Sequence, residues 1–400
     1  MSTESPARKS RGVSAQKGTL TIPETVRKIG GVSAFRGALA RERAEAAAAP
    51  LAPAFPGFTY NGGPVISCPL VYTSFWGSLW LSDPAHLQEA GRLSQFCKDL
   101  VASDFMNVLS QYGVGRGAGW GLFIQASFIS AVPATLTDDA IHNVIQSAIS
   151  NGVIPEPPAN NTSHVLMIYL DENTMVDDQN FGVVMCEPSG DDAFGYHWDF
   201  TTAAGNPFYY AVIPSLNDAC ITNTCGGSPN CSLNLSETQE QRRTQVSSHE
   251  FAEMCTDPKY PTGWIDPFAG ECGDICNGET NTITVGPNTW DVQNQYSKYT
   301  DTQTNGAIYC VATEPNPLPR LSPGPSGLSS RRTPLIPMSH YSSFLPLPSV
   351  RYDYRTGKKE LDENETRAFT KRMLRPFSHE NVSGDLPATL HRIADLMASR

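Results

Sequence analysis

Residues 248–258 read Ser248-His249-Glu250-Phe251-Ala252-Glu253-Met254-Cys255-Thr256-Asp257-Pro258, an H-E-x-x-E pattern at the end of a predicted helix. An α-helix advances about 100° per residue, so positions i and i+4 stand about 40° apart on one face. His249 and Glu253 are therefore expected to reach one metal ion. Glu250 then projects beside it, where a metal-bound water would sit. Pro258 stops the helix, because the residue before a proline disfavours helical geometry. At the other end, Ser236 and Gln239 read as its capping box.

A third ligand has to come from outside this helix. Glu271-Cys272-Gly273-Asp274 supplies two carboxylates, so the expected metal set is His249, Glu253 and one of Glu271 or Asp274, leaving one coordination position open. Zinc is the expected ion, with other divalent metals open. A set richer in carboxylates than two histidines and a glutamate leaves a bound water less acidified. Glu250 is then the general base, and Asp257 is expected to orient His249 from behind. His197, in Gly195-Tyr196-His197-Trp198, is expected either to stabilise an oxyanion or to complete the ligand set. The plainer reading makes His249 a hydrogen-bonded core histidine, Glu250 and Glu253 a solvated helix face, and His197 a structural histidine beside Trp198. Serine catalysis has no support, since Thr238, Ser247 and Ser248 show no arrangement with a base.

The 400 residues are 40% hydrophobic, enough for a large core. Charge is uneven: residues 1–50 carry 9 Lys/Arg against 4 Asp/Glu, and residues 314–400 carry 13 against 9. The remaining centre, 51–313, holds 7 basic and 27 acidic residues. An acidic centre argues against a nucleic-acid partner. No apolar run fits a membrane span, and none in 1–50 is long enough for a secretory signal. The ten cysteines avoid both basic ends, and six fall between Cys220 and Cys276. That clustering, with no C-x-x-C pair, reads as disulfides and an oxidising, extracellular compartment. Sequons at Asn160, Asn161, Asn230 and Asn234 are compatible with secretion.

Residues 1–55 are poor in large apolar side chains and read as disordered or a pro-segment, with a short helix possible over Ile22–Arg43. The globular region, 56–313, opens with a turn at Tyr60–Pro64 and a buried strand over Val65–Trp76. Helices follow from Pro84, over Asp104–Tyr112 and over Asp138–Ile149. Strands are expected at Trp120–Ile129, Val165–Leu170, Val183–Cys186, Phe208–Ile213, Thr282–Val285 and Ile308–Ala312. Gly195–Trp198 reads as a polar turn and Cys220–Cys231 as a disulfide loop. Residues 314–400 read as a Pro/Ser-rich linker and charged tail, with short helices possible at Glu360–Leu374 and Leu390–Met397. Mixed strands and helices around one long carboxylate-bearing helix indicate an α+β layered domain with a mixed sheet.

Two resemblances add to this reading. The run from His249 through Thr256-Asp257 is similar to the H-E-x-x-H-x-x-T-D helix of thermolysin-like proteases, with Glu253 in place of the second histidine and Glu271 following at a comparable distance. This implies a zincin-like domain. Tyr60-Asn61-Gly62-Gly63-Pro64, Val71-Tyr72, Phe75-Trp76-Gly77 and Ser110-Gln111-Tyr112-Gly113 resemble the front half of the phosphate-induced (exordium-like) proteins. Gly195-Tyr196-His197, the cysteine loop, Thr256-Asp257-Pro258 with Gly263-Trp264, and Gly273-Asp274-Ile275-Cys276 continue the likeness over about Phe58–Thr313. That family is extracellular and associated with cell walls and growth responses; the resemblance supplies no activity, and its plant members often lack the His-Glu pair. Two functions are therefore expected. One is a metal-dependent hydrolase, foremost a secreted peptidase, acting on a peptide or cell-wall substrate; the other is a non-catalytic extracellular binding or signalling protein.

Overall fold

Leu70–Trp76 is apolar, aromatic and β-branched with scarcely a break, and six of its seven residues are buried. Such a run suits a strand covered on both faces by other layers. The computed structural model describes residues 53–115, 121–178, 183–187, 193–225, 231–321, 350–353 and 358–361. Their elements begin with β1 (Thr59–Tyr60), β2 (Leu70–Trp76), α1 (Leu79–Ser82), α2 (Pro84–Leu100), α3 (Phe105–Leu109), β3 (Leu122–Ile129), β4 (Thr135–Thr137), α4 (Asp138–Ser150), β5 (His164–Leu170), β6 (Met175–Asp178) and β7 (Val183–Val184). They continue with β8 (Tyr196–Thr201), β9 (Pro207–Ile213), α5 (Asp218–Cys225), α6 (Gln239–Thr256), β10 (Trp264–Ile265), β11 (Thr280–Val285), β12 (Asn288–Gln293), β13 (Gln295–Tyr296), α7 (Lys298–Thr304), β14 (Cys310–Val311), β15 (Val350–Asp353) and β16 (Lys358–Leu361). The described chain is mixed α+β.

The largest sheet has seven strands in the order β16-β15-β3-β2-β5-β9-β8. Neighbours from β15 to β9 run parallel, and β16 and β8 are antiparallel edges. Successive side chains of a strand point to opposite faces, which divides the core in two. Val71, Phe75, Val165, Met167, Tyr169, Ala211 and Ile213 face α2 and α6, meeting Leu93, Phe96, Phe251 and Met254. Tyr72, Trp76, Leu166, Ile168, Leu170, Tyr210 and Val212 face Ile141, Val144, Ile145 and Ala148 of α4. The result is three layers, helix on sheet on helix. Complete burial of side chains such as Phe251 and Met254 stabilises by about 1.5–3 kcal/mol each.

Helix α6 is anchored by polar groups as well. Arg242 reaches Asp218 Oδ1 at 2.8 Å and the Leu216 carbonyl at 3.0 Å. Arg243, fully buried, meets Glu89 Oε1 of α2 at 2.6 Å and lies 4.9 Å over the Trp80 ring. The capping box is at Thr238 and Gln241, two residues later than expected: Thr238 Oγ1 accepts from Gln241 N at 3.2 Å, and Gln241 Oε1 accepts from Thr238 N at 2.8 Å. The physical reason is Asn234, whose Oδ1 accepts the Ser236 N–H at 2.9 Å and holds the chain in a turn there.

Other expectations are corrected. Gly195–Trp198 is no turn; from Tyr196 it enters edge strand β8, with His197 paired to Ala211, because Tyr196 has a core site to fill. The strand expected from Val65 starts at Leu70, after Pro69, since a proline offers no N–H to the ladder. The Cys220–Cys231 segment begins as helix α5. Three disulfides form among the described residues, Cys186–Cys220, Cys225–Cys231 and Cys276–Cys310, and Cys97, Cys255 and Cys272 are buried thiols. Only one bond therefore lies wholly inside 220–276. Asn161 cannot carry a glycan in this fold, being buried with its amide bonded to the carbonyls of His164 and Pro207. Asn160 and Asn234 are exposed, and Asn230 lies outside the described residues.

At the ends, Ala54 and Phe55 donate to Asp301, and Leu318 and Leu321 donate to the carbonyls of Asn107 and Gln111. Ordered contacts thus extend slightly beyond 56–313. Strand β15, from the stretch expected as tail, pairs with β3. The helix expected from Glu360 meets strand β16 at its start, and the rest of it, like those at 22–43 and 390–397, lies outside the described residues. No described helix is long and apolar enough to cross a membrane.

Candidate metal centre

The C-terminal half of α6 and the loop after β10 are joined through one carboxylate. Glu253 Oε1 accepts the Gly273 N–H at 3.0 Å and the Asp274 N–H at 2.9 Å. Its Oε2 lies 3.1 Å from His249 Nε2, and Asp274 Oδ1 stands 3.8 Å from the same nitrogen. Donor atoms of His249, Glu253 and Asp274 lie within 4.8 Å of one another. Asp274 is itself held, its Oδ2 accepting from Glu271 N at 3.2 Å. Position 273 has to be glycine for this approach: a Cβ there would stand 2.7 Å from Glu253 Oε1 and 2.9 Å from His249 Nδ1.

Edge strand β8 brings in His197 from the sheet. Its Nδ1 is 3.6 Å from Glu250 Oε2 and 3.8 Å from Glu253 Oε2. Its Nε2 is 3.6 Å from Glu271 Oε1 and donates to the Asp257 carbonyl at 3.2 Å. Donor atoms of His197, Glu253 and Glu271 also fall within 4.8 Å of one another. Gly195 permits the close packing of β8 on α6, since a Cβ there would meet Val246 Cγ1 at 2.6 Å and Glu250 Oε1 at 3.0 Å. His249 and Asp274 form the solvent-facing rim, with side chains 12% and 19% exposed, against 5–6% for His197, Glu250, Glu253 and Glu271.

All the expected site residues are thus in one region, and the structure separates the two carboxylates left open as the third ligand. Asp274 joins His249 and Glu253, whereas Glu271 sits with His197 on the other side of Glu253. Glu250 makes its closest ion pair with His197. Asp257 is a correction: its carbonyl holds His197, and its Oδ1 accepts from Thr262 N at 3.1 Å and Gly263 N at 2.6 Å, so it shapes the following loop rather than orienting His249. The residue behind His249 is Gln293, at the end of β12. Its Nε2 is 2.8 Å from both His249 Nδ1 and the Gly273 carbonyl, and its N–H donates to Ser248 Oγ at 2.9 Å. Nothing in its spacing from the helix marks it; only the docking of the β11–β12 hairpin brings it there.

Electrostatics register the crowding of carboxylates. Burial lowers the pKa of His249, but Glu253, Glu250 and Asp274 overcome it and hold the imidazole well above 6.5. His197 is likewise raised against burial by Glu250 and Glu253. Burial pushes Asp274 up to about 8 and Asp257 up to about 6, and puts Glu271 well above the usual carboxylate range, with Glu253 reinforcing each. Glu253 is driven the other way: despite burial, His249 above all keeps it ionised. Glu271 Oε1 and Asp257 Oδ2 are buried without a hydrogen-bond partner. Imidazole nitrogens, carboxylate oxygens and orphaned buried oxygens fit a divalent cation, which would replace protons at these carboxylates.

Three of the segments quoted above, Tyr60–Pro64, Ser110–Gly113 and Gly263-Trp264, pack together after the loop that Asp257 shapes. Asn61 and Gly63 donate to the carbonyls of Gly263 and Thr262, Tyr60 pairs with Trp264, and Trp264 Nε1 donates to the Tyr112 carbonyl at 3.0 Å. Comparison with family models, curated proteins and solved structures finds no match to the chain.

Proposed function

We propose that this chain is a metal-dependent hydrolase, a secreted peptidase with a zincin-like arrangement around α6, acting on a peptide or cell-wall substrate. The observation that carries the reading is the convergence of His249, Glu253 and Asp274, with the Glu250 carboxylate among the charges that act on His249. A bound divalent ion, zinc foremost, supplies Lewis acidity and makes water more acidic. The protein's own groups do the rest. Glu250 accepts the proton of the attacking water and returns it to the leaving group. His197, with Nδ1 3.6 Å from Glu250 Oε2, holds that base in place. Gln293 and the Gly273 and Asp274 N–H groups fix the ligands in place. The disulfides support an extracellular setting.

A second reading is a non-catalytic, exordium-like extracellular binding protein with a structural ion. It is favoured by the near-complete burial of Glu250, Glu253, Glu271 and His197 and by the packing together of three family-like segments. One experiment separates the two. In the hydrolase, His249→Ala removes the ion held by His249, Glu253 and Asp274, while Glu250→Gln retains it and lowers peptide hydrolysis by about 100-fold or more. A binding protein loses that ion on His249→Ala but hydrolyses nothing in any form. Wild type without stoichiometric metal overturns both.

A further inference from the structure

Glu253 presents its two oxygens to different partners. Oε1 takes the Gly273 and Asp274 N–H groups, which fixes the plane of the carboxylate. Oε2 is left facing two histidines, His249 Nε2 at 3.1 Å on its own helix and His197 Nδ1 at 3.8 Å on β8. Each histidine is backed by its own carboxylate, Asp274 beside His249 and Glu271 beside His197. The two donor sets share only Glu253.

We propose that the centre takes two divalent cations bridged by Glu253, the second held by His197, Glu253 and Glu271. The inference rests on the metal-centre reading above and adds a position to it. The independent observation is Glu271 Oε1, whose side chain is 6% exposed and which has no hydrogen-bond donor although Glu271 belongs to one donor set with His197 and Glu253. A carboxylate oxygen withheld from both water and N–H groups is unfavourable unless a cation takes the place of the donor. His197 has the outer hydrogen bond that ligating histidines make: Nε2 donates to the Asp257 carbonyl, leaving Nδ1 toward Glu253 and Glu250. Charge agrees. Glu250, Glu253, Glu271 and Asp274 gather around two imidazoles, and two dications with neutral imidazoles balance those four carboxylates where one leaves half of their charge uncompensated.

The test uses the full chain with its disulfides, stripped by a chelator, dialysed and titrated with Zn2+, with bound metal counted by elemental analysis. Wild type is expected to saturate at two ions per chain, and Glu271→Gln and His249→Ala at one each. Loaded with Mn2+, wild type is expected to give an exchange-coupled electron paramagnetic resonance spectrum, and Glu271→Gln the spectrum of an isolated ion. The wild-type stoichiometry and spectrum decide the matter even where a variant fails to fold, which circular dichroism checks. Saturation at a single ion, lost in His249→Ala and untouched by Glu271→Gln, overturns the second position and leaves the metal-centre reading intact. No bound ion at all overturns both.

Discussion

At the scale of single residues, histidines away from the candidate metal centre divide by environment. Burial lowers the pKa of His86, but Glu172 at 2.7 Å and Asp83 at 3.0 Å outweigh it, so the net shift is upward. Burial lowers His142, stacked on Phe200, and His164, stacked on Tyr72. The signs of their linkage to folding are opposite. The His86 contribution is fully present below the unfolded value of about 6.5 and is lost as pH rises through its folded value. Those of His142 and His164 are present above about 6.5 and are lost as pH falls through theirs. Nuclear magnetic resonance titration is expected to place the His86 midpoint above 6.5 and the other two below it. His86→Gln is expected to destabilise more at about pH 5.5 than at about pH 8 in urea denaturation. A cost that is equal at the two pH values, or larger at the higher one, contradicts the Glu172 pairing.

At the scale of elements, α6 carries the site, so its start matters to function as well as stability. Thr238 caps the helix, whereas Ser236 belongs to the preceding Asn234 turn. Thr238→Ala is expected to cost about 1 kcal/mol. Ser236→Ala is expected to stay within about 0.5 kcal/mol, being an exposed position without a cap. Chemical denaturation of the two variants checks this, and reversal of their order returns the capping box to Ser236 and Gln239. The helix itself was legible from its i, i+4 pattern and from Pro258, because those are local constraints. Its cap was not, since three hydroxyl- or carboxyl-bearing residues, Ser236, Glu237 and Thr238, stand in a row and local sequence does not say where the turn ends.

At the scale of the whole molecule, the Cys276–Cys310 bond closes a 34-residue separation and ties the loop bearing Asp274 to the end of the globular region. Replacing both cysteines by serine is expected to cost about 2–4 kcal/mol, read as a lower midpoint in denaturation. Non-reducing mass spectrometry is expected to find the three stated bonds. Cys97, Cys255 and Cys272, all buried, are expected to alkylate only after unfolding. Ready alkylation of these three thiols in the native protein, or a different pairing, contradicts this packing.

Periodicity and turn chemistry act over a few residues, so the sequence by itself determined the mixed α+β class, most strands of the large sheet, and helix α6 with His249 and Glu253 on one face. The same local information put Glu250, His197, Glu271 and Asp274 on the page as candidates. What it could not do was divide them, because His197 and Glu271 are brought together across 74 positions by an edge strand and a loop whose separation is set by packing at Gly195 and Gly273. Gln293 behind His249 and the role of Asp257 under His197 were likewise settled only in three dimensions. Tertiary structure decided these points because a side chain's partners across a core depend on how layers stack, and that is a property of the whole buried surface rather than of any stretch of chain.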